Sequence, residues 1–402
     1  MGPLLATNSM YRGVYTSLMR FFPEEISWLA YLIAALSIVL LLVNAVLIFA
    51  AVLVYMERRL LGRFHSRIGP NRVGPFGVLQ PIADILKLLL KEDMVPKIAD
   101  RLVFNLAPIV MVAPVLIMVG VLPFGKDSFL ANLNIGILYV IAVTTVSSIG
   151  IFMAGWASGN KYAMFGAMRA VAQLVSYEVP MVLSIVGILL LTGSLSLVSI
   201  VEAQRLPFFL LQPLGFFVFL VAASAELSRA PFDLPEAESE IIAGYHIEYS
   251  GMKFGLLQLA EFAATMATAG IIATLFFRGW ENPFLPRGWV EILPSHLWFV
   301  LKLLFVTFLF IWIRATVPRL RIDQVLGFAW KVLFPMALIN LVVTAVQVLL
   351  WPNPTTVQLW AMVAINFTVA AAAIVGFSFF MEGSRRLPAS SVVSMPSNME
   401  VH

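Results

Sequence analysis

The sequence predicts an all-α fold, a polytopic transmembrane helix bundle of about nine spans. Three observations predict it. The 402 residues are 60% hydrophobic and only 12% charged, with a mean hydropathy of +0.93. A soluble domain carries about 25% charged residues, and a single core of this length cannot hide so much apolar surface. Uncharged stretches of about 20 residues, the length that crosses a bilayer, recur along the chain. The charges gather in the segments between them.

The first span is Trp28 to Met56, which holds no charge. The others are expected near 102–122, 135–155, 172–192, 207–226, 254–277, 297–316, 330–351 and 357–380. Lys302 lies inside the seventh, and Trp351-Pro352-Asn353-Pro354 separates the last two. Residues 1–382 read as one transmembrane domain, and 383–402, rich in Ser and Pro, as a disordered cytoplasmic tail. The first 27 residues lack the short apolar region and small-residue cleavage site of a removable signal peptide. Of the 26 Lys and Arg residues, 19 fall on the side of the first loop and 6 on the other. By the positive-inside rule the N-terminus is outside, the C-terminus is cytoplasmic, and the long odd-numbered loops face the cytoplasm. That distribution also accounts for the net charge of +4, so nucleic acid is not an expected partner.

The chain has no cysteine and four histidines, His65, His246, His296 and His402, none within an expected span. Iron–sulfur clusters need Cys ligands. No metal site is expected, no soluble stretch is long enough for a nucleotide-binding sheet, and any electron carrier must belong to a partner.

In the first loop, Gly69-Pro70-Asn71-Arg72-Val73-Gly74-Pro75-Phe76-Gly77 predicts a rigid, irregular backbone. It reads as a surface turn or as the wall of a cavity, with Arg58, Arg67 and Arg72 as donors. Gln80 to Lys91 follows as a short amphipathic helix with Pro81 in its first turn and Asp84, Lys87 and Lys91 on one face. Too short to span, it is expected in the membrane interface, as a passive anchor or as the frame of a side entrance for a lipid-soluble ligand. The loop after the fifth span carries Glu226, Asp233, Glu236, Glu238, Glu240 and Glu248 against Arg229 alone. Interleaved Pro231, Phe232, Leu234, Pro235, Ile241, Ile242 and Tyr245 favour a folded loop over a solvated charge run. Glu178 and Glu261 lie inside the fourth and sixth spans, about 9 and 10 Å from their cytoplasmic ends at 1.5 Å per residue. A charge at mid-bilayer costs on the order of 3 kcal/mol, so such carboxylates are functional candidates, with neutralisation by a fixed Arg or Lys as the alternative. With Glu226 they make a polar path part-way into the membrane.

Glu57-Arg58-Arg59, Gly69-Pro70-Asn71-Arg72-Val73-Gly74-Pro75 and Leu79-Gln80-Pro81-Ile82-Ala83-Asp84 resemble the first loop of the H-subunit family of respiratory complex I. Gly155-Trp156-Ala157-Ser158, Arg169-Ala170-Val171-Ala172-Gln173, Ser176-Tyr177-Glu178, Ala225-Glu226, Arg229-Ala230-Pro231-Phe232-Asp233-Leu234-Pro235-Glu236-Ala237-Glu238 and Trp312-Ile313-Arg314-Ala315-Thr316 extend the match, in family order, from about residue 55 to 331. The resemblance implies a membrane subunit of a proton-translocating NADH:quinone oxidoreductase, multi-pass in the bacterial inner (plasma) membrane. A chain of this family carries no redox centre of its own and binds quinone as substrate. Its partners are cluster-bearing soluble subunits of the peripheral arm, other membrane subunits and lipid. Carried over by motif, Glu57, Arg58, Arg67, Asp84, Arg229, Asp233 and Arg314 belong to a quinone tunnel, and Glu236, Glu238, Glu240 and Glu248 to the acidic loop beside it. Glu178, Glu226 and Glu261 belong to the start of a proton path.

Many family members have Tyr after the sixth-span Glu, where this chain has Phe262, so Tyr177 or water is expected to stand in for that hydroxyl. A ninth span and a long tail exceed the eight-span family core. The competing readings are the membrane subunit of a hydrogenase-type complex and a stand-alone proton or sodium transporter. Copurification with cluster-bearing soluble subunits separates the transporter from the other two.

Overall fold

A computed structural model describes residues 9–20, 27–126, 128–235, 238–282 and 293–385. The described residues form helices and connecting loops, with no β-strand beyond one isolated bridge. In chain order the helices are α1 (Ser9–Leu18), α2 (Ser27–Phe64), α3 (Gln80–Leu90), α4 (Arg101–Val121), α5 (Gly136–Ala157) and α6 (Lys161–Thr192). After them come α7 (Leu197–Ala203), α8 (Phe208–Leu211), α9 (Pro213–Glu226), α10 (Glu238–Ile241), α11 (Gly251–Phe276) and α12 (Ser295–Thr316). The last two are α13 (Ile322–Leu350), with a π turn at Ala329–Leu333, and α14 (Thr356–Arg385).

Eight of these, α2, α4, α5, α6, α11, α12, α13 and α14, are long and apolar enough to cross a membrane. The fifth expected span is different. Instead of one helix over 207–226, α8 makes a single turn and α9 restarts at Pro213 with only 14 residues. Hydropathy cannot register the cause. Gln212 leaves helical geometry (φ −134°, ψ 65°), and Pro213 has no N–H with which to continue the ladder. The carbonyl of Leu211 beside the break is met by Asn366 Nδ2 of α14 at 2.5 Å. Asn366 also exchanges hydrogen bonds with Gln347 (2.8 and 3.0 Å), and Gln212 donates to Thr344 (3.2 Å). A break among apolar helices persists only when such groups re-satisfy the backbone.

Other expected boundaries move outward. α2 runs on through Glu57, Arg58, Arg59 and Arg63, expected in a loop, and α6 begins eleven residues before the expected span. Helix geometry continues past the apolar stretch wherever the next residues still pack or pair. Arg169 on the α6 extension pairs with Glu240 at 2.5 Å. α14 likewise carries residues 383–385, assigned to the tail; 386–402 lie outside the described residues. The short helix expected after the first loop is present as α3, packed on α2 and α11 with Ile82, Ile85, Leu86, Leu89 and Leu90 exposed.

α6 organises the interior. Its buried Gln173 donates to the carbonyls of Ala225 (2.7 Å) and Phe232 (2.9 Å), tying the end of α9 and the acidic loop to one side chain. Tyr249, just ahead of α11, stacks on Phe104 at 4.0 Å between centroids and donates to the Phe104 carbonyl at 3.1 Å. Burial raises its phenol above the usual tyrosine range, which keeps it a donor.

Candidate functional site: a charged chamber joined to an apolar slot

The chamber lies where the α2 extension, the start of the acidic loop, α11 and the end of α12 converge. Glu57, 4% exposed, is held between two guanidiniums: Arg229, itself 7% exposed, donates to Oε2 at 2.7 Å, and Arg314 donates to Oε1. Burying an ion is expensive, and an Arg–Glu–Arg group tolerates burial because each oxygen receives a charge-assisted bond. The group carries a net positive charge at the wall of a cavity of about 240 Å³. Asp233, Gln258, Glu261 and Phe262 line the rest, with Val54, Arg58 and Leu227. Phe262 turns its ring face to Arg229, 5.2 Å from the guanidinium carbon.

Val54, Arg58, Gln258 and Phe262 also line a second, almost wholly apolar cavity of about 400 Å³, so the two adjoin. This slot runs between α2 (Leu47, Ala50, Ala51), α3 (Pro81, Asp84, Ile85, Leu88) and α11 (Met252, Gly255, Leu259). Asp84 faces it and pairs with Arg58 at 2.5 Å, supported by Gln80 at 3.1 Å. α3 is therefore fastened to α2 at the junction of slot and chamber.

The Gly/Pro-rich segment folds back onto α2. Arg59 donates to the carbonyls of Pro70 (3.1 Å) and Phe76 (2.8 Å), and Tyr55 donates to Phe76 O at 3.0 Å. Gly77 has φ +78°, and a Cβ there would sit 2.2 Å from the Pro70 oxygen, so no larger residue fits the turn. The segment is a turn bonded to the helix that supplies Glu57 and Arg58, and residues 71–76 are exposed.

The carboxylates divide into two places. Glu261 faces the chamber and accepts a hydrogen bond from the Tyr245 hydroxyl at 2.8 Å. Glu226 lines a small cavity of about 40 Å³ with Thr144, Ser147 and Thr268, and Glu178 accepts a hydrogen bond from Thr145, the neighbour of Thr144 on α5, at 2.5 Å. Leu227 borders both the chamber and the small cavity. Tyr177 is turned elsewhere, donating to the carbonyl of Val325 at 2.9 Å. Of the acidic loop, Glu240 pairs with Arg169, Glu248 accepts from Asn160 at 2.7 Å, Glu238 opens α10, and Glu236 lies outside the described residues. Arg67 is exposed and does not line the chamber.

Among the described residues, no group of three or more His, Asp or Glu could hold a metal ion. Sequence reasoning passed over Gln258 altogether and met Gln173 only as the last residue of a family motif, with no role assigned. It listed Tyr245 only as one aromatic among the acids, and that interleaving was the signal available for it.

Fold and site define a multi-pass helical membrane protein whose helices enclose a charged chamber beside an apolar slot. The comparisons with known proteins place it more narrowly. The family model for NADH dehydrogenase matches residues 36–345. The NADH-quinone oxidoreductase H-subunit of Dehalococcoides mccartyi (strain CBDB1) is 54% identical over 340 residues, 85% of this chain and 93% of that protein. The H-subunit of Brevibacillus brevis is 50% identical over 326 residues, 80% and 95% of the respective chains. The chain belongs to the NADH dehydrogenase family, among the H-subunits of NADH-quinone oxidoreductases.

Proposed function

We propose that this chain is the quinone-binding, energy-coupling membrane subunit of a proton-translocating NADH:quinone oxidoreductase. The observation that carries the reading is the junction of an apolar slot with a charged chamber. A quinone has the same division, an apolar tail and a head with two carbonyl oxygens. The slot offers the tail a dry path between α2, α3 and α11, and Arg58, Gln258 and the Glu57–Arg229–Arg314 group offer the head donors. Electrons reach the quinone from a cluster in a docked soluble partner, because this chain has no cysteine to hold one.

In this reading nine spans cross the bacterial inner membrane, the broken α8–α9 segment being the fifth. The N-terminus is outside, and the basic and acidic loops face the cytoplasm, where they dock the peripheral arm. Reduction of quinone changes the charge in the chamber, and Glu261, Glu226 and Glu178 pass that change into the membrane. They are acids in low-dielectric surroundings, which respond strongly to a neighbouring charge.

The test is to close the slot. A Cβ at Gly255 would already sit 3.2 Å from Leu88 Cδ1. In the assembled complex, Gly255→Leu is expected to raise KM for quinone about tenfold and to leave NADH oxidation by an artificial acceptor unchanged. An unchanged KM with quinones of every tail length would sink the proposal.

A further inference from the structure

Phe262 has no hydroxyl to offer the neighbouring carboxylate, and its ring faces Arg229. Tyr177, the expected substitute, is bonded to Val325 O. The hydroxyl beside Glu261 comes instead from the acidic loop, whose Tyr245 reaches Oε1 at 2.8 Å.

The placement is over-determined. Tyr245 sits in a single 3-10 turn, Gly244–His246, and is 2% exposed. Its ring belongs to an apolar cluster that includes Phe104, Leu174, Leu257 and Ala260, and the turn packs on α5 and α6. The turn seats on α6 glycine to glycine: a Cβ on Gly166 would lie 2.7 Å from the Gly244 Cα, and Gly244 has φ +63°. The same loop is anchored on either side of the turn, by Glu240 to Arg169 before it and by Glu248 to Asn160 after it. The tyrosine has two side-chain torsions and is fully enclosed, whereas the glutamate has three and is half-buried, so the phenol is the more rigid end of the bond.

We propose that Tyr245 is a positioning residue for Glu261, and that through this bond the seating of the acidic loop on α6 sets where the Glu261 carboxylate points. The inference rests on the proposed role of Glu261 in coupling. It adds that the loop and the intramembrane carboxylate act as one unit. If the loop shifts when a partner docks or quinone arrives, the Tyr245 hydroxyl carries the shift to Glu261.

Tyr245→Phe keeps the ring and removes only the hydroxyl, so it isolates the bond. In the assembled complex it is expected to lower coupled quinone reduction about tenfold, with KM for short-chain quinone and artificial-acceptor activity unchanged. Tyr249→Phe, which removes a buried hydroxyl from the same loop that bonds only to backbone in α4, serves as the control and should leave coupling intact. The double variant Tyr245→Phe/Glu261→Gln should be no worse than Glu261→Gln alone, since a positioning residue has nothing left to position. Losses that multiply in the double variant would overturn the inference, as would normal coupling in Tyr245→Phe alongside a defective Glu261→Gln. Normal coupling in Glu261→Gln would instead refute the underlying reading. Should assembly of Tyr245→Phe be impaired, the infrared carboxyl band that disappears in Glu261→Gln supplies an independent measure on whatever complex forms. It should shift in Tyr245→Phe and stay in place in Tyr249→Phe, and an unshifted band would overturn the inference.

Discussion

Two buried charge groups sit toward opposite ends of α12, and each sets two cations around one glutamate. Near the end of the helix, Arg314 and Arg229 flank Glu57. Near its start, Lys302 donates to the carbonyls of Gly279 (2.7 Å) and Glu281, while Arg278 pairs with the Glu281 carboxylate at 2.7 Å and donates to the Asn282 carbonyl at 3.1 Å. The backbone N–H of Arg278 donates to Gln204, which in turn donates to the carbonyls of Thr274 and Leu275. The ingredients are nearly alike and the surroundings differ. Beside its one ion pair, the second group is met by backbone carbonyls: both Lys302 bonds and one from Arg278 end on them. The first is bonded side chain to side chain and lines an opening of about 240 Å³. A charge group directed at its own backbone closes a bundle; one that fronts a cavity can answer to a ligand. Composition does not distinguish the two, and the direction of the donors does.

The strongest way to break this contrast is Glu57→Gln. It removes the charge between Arg229 and Arg314, and losing one partner of a buried ionic group costs about 3–5 kcal/mol. Quinone reduction should be abolished and the thermal stability of the purified complex should fall. A complex of normal stability would mean that water or a neighbouring protein neutralises the arginines. Lys302→Met probes the closed group. It leaves two buried carbonyls short of a donor, a cost of about 1–3 kcal/mol, which a melting curve should register while KM for quinone stays put. A raised KM there would erase the distinction between the two groups.

Asp233→Asn, which alters the chamber wall and leaves Glu57, Arg229 and Arg314 in the sequence, should raise KM for short-chain quinone about threefold and spare the artificial-acceptor rate. Loss with both acceptors would point to failed docking of the peripheral arm. The smallest effect is expected from Arg67→Ala. This exposed side chain does not line the chamber, so steady-state assays should detect a change of less than about twofold.

Much of this arrangement was legible before any coordinates. Apolar runs located eight of the long helices, and a proline followed by a one-faced charge pattern located α3. The family resemblance grouped Glu57, Arg58, Arg67, Asp84, Arg229, Asp233 and Arg314, and all but Arg67 line the chamber or the slot. What stayed hidden depended on direction or on distant contacts. Arg67 and Arg58 are equivalent in sequence, yet only Arg58 turns toward the slot. Tyr177 precedes Glu178 in the chain and bonds to a residue 148 positions away, while Tyr245 reaches Glu261 from a loop. The fifth span read as continuous because hydropathy averages over Gln212 and Pro213, and the groups that make the break tolerable lie on α13 and α14.

That break bears on how the protein is made. The carbonyl of Leu211 is satisfied by Asn366, which the ribosome adds 155 residues later. When α8 is synthesised this partner does not yet exist, and a backbone carbonyl left unmet away from water costs several kcal/mol. Until α14 arrives, water or the insertion machinery has to stand in for that amide. A chain stopped before Asn366 therefore holds every helix of the chamber with one seam still open.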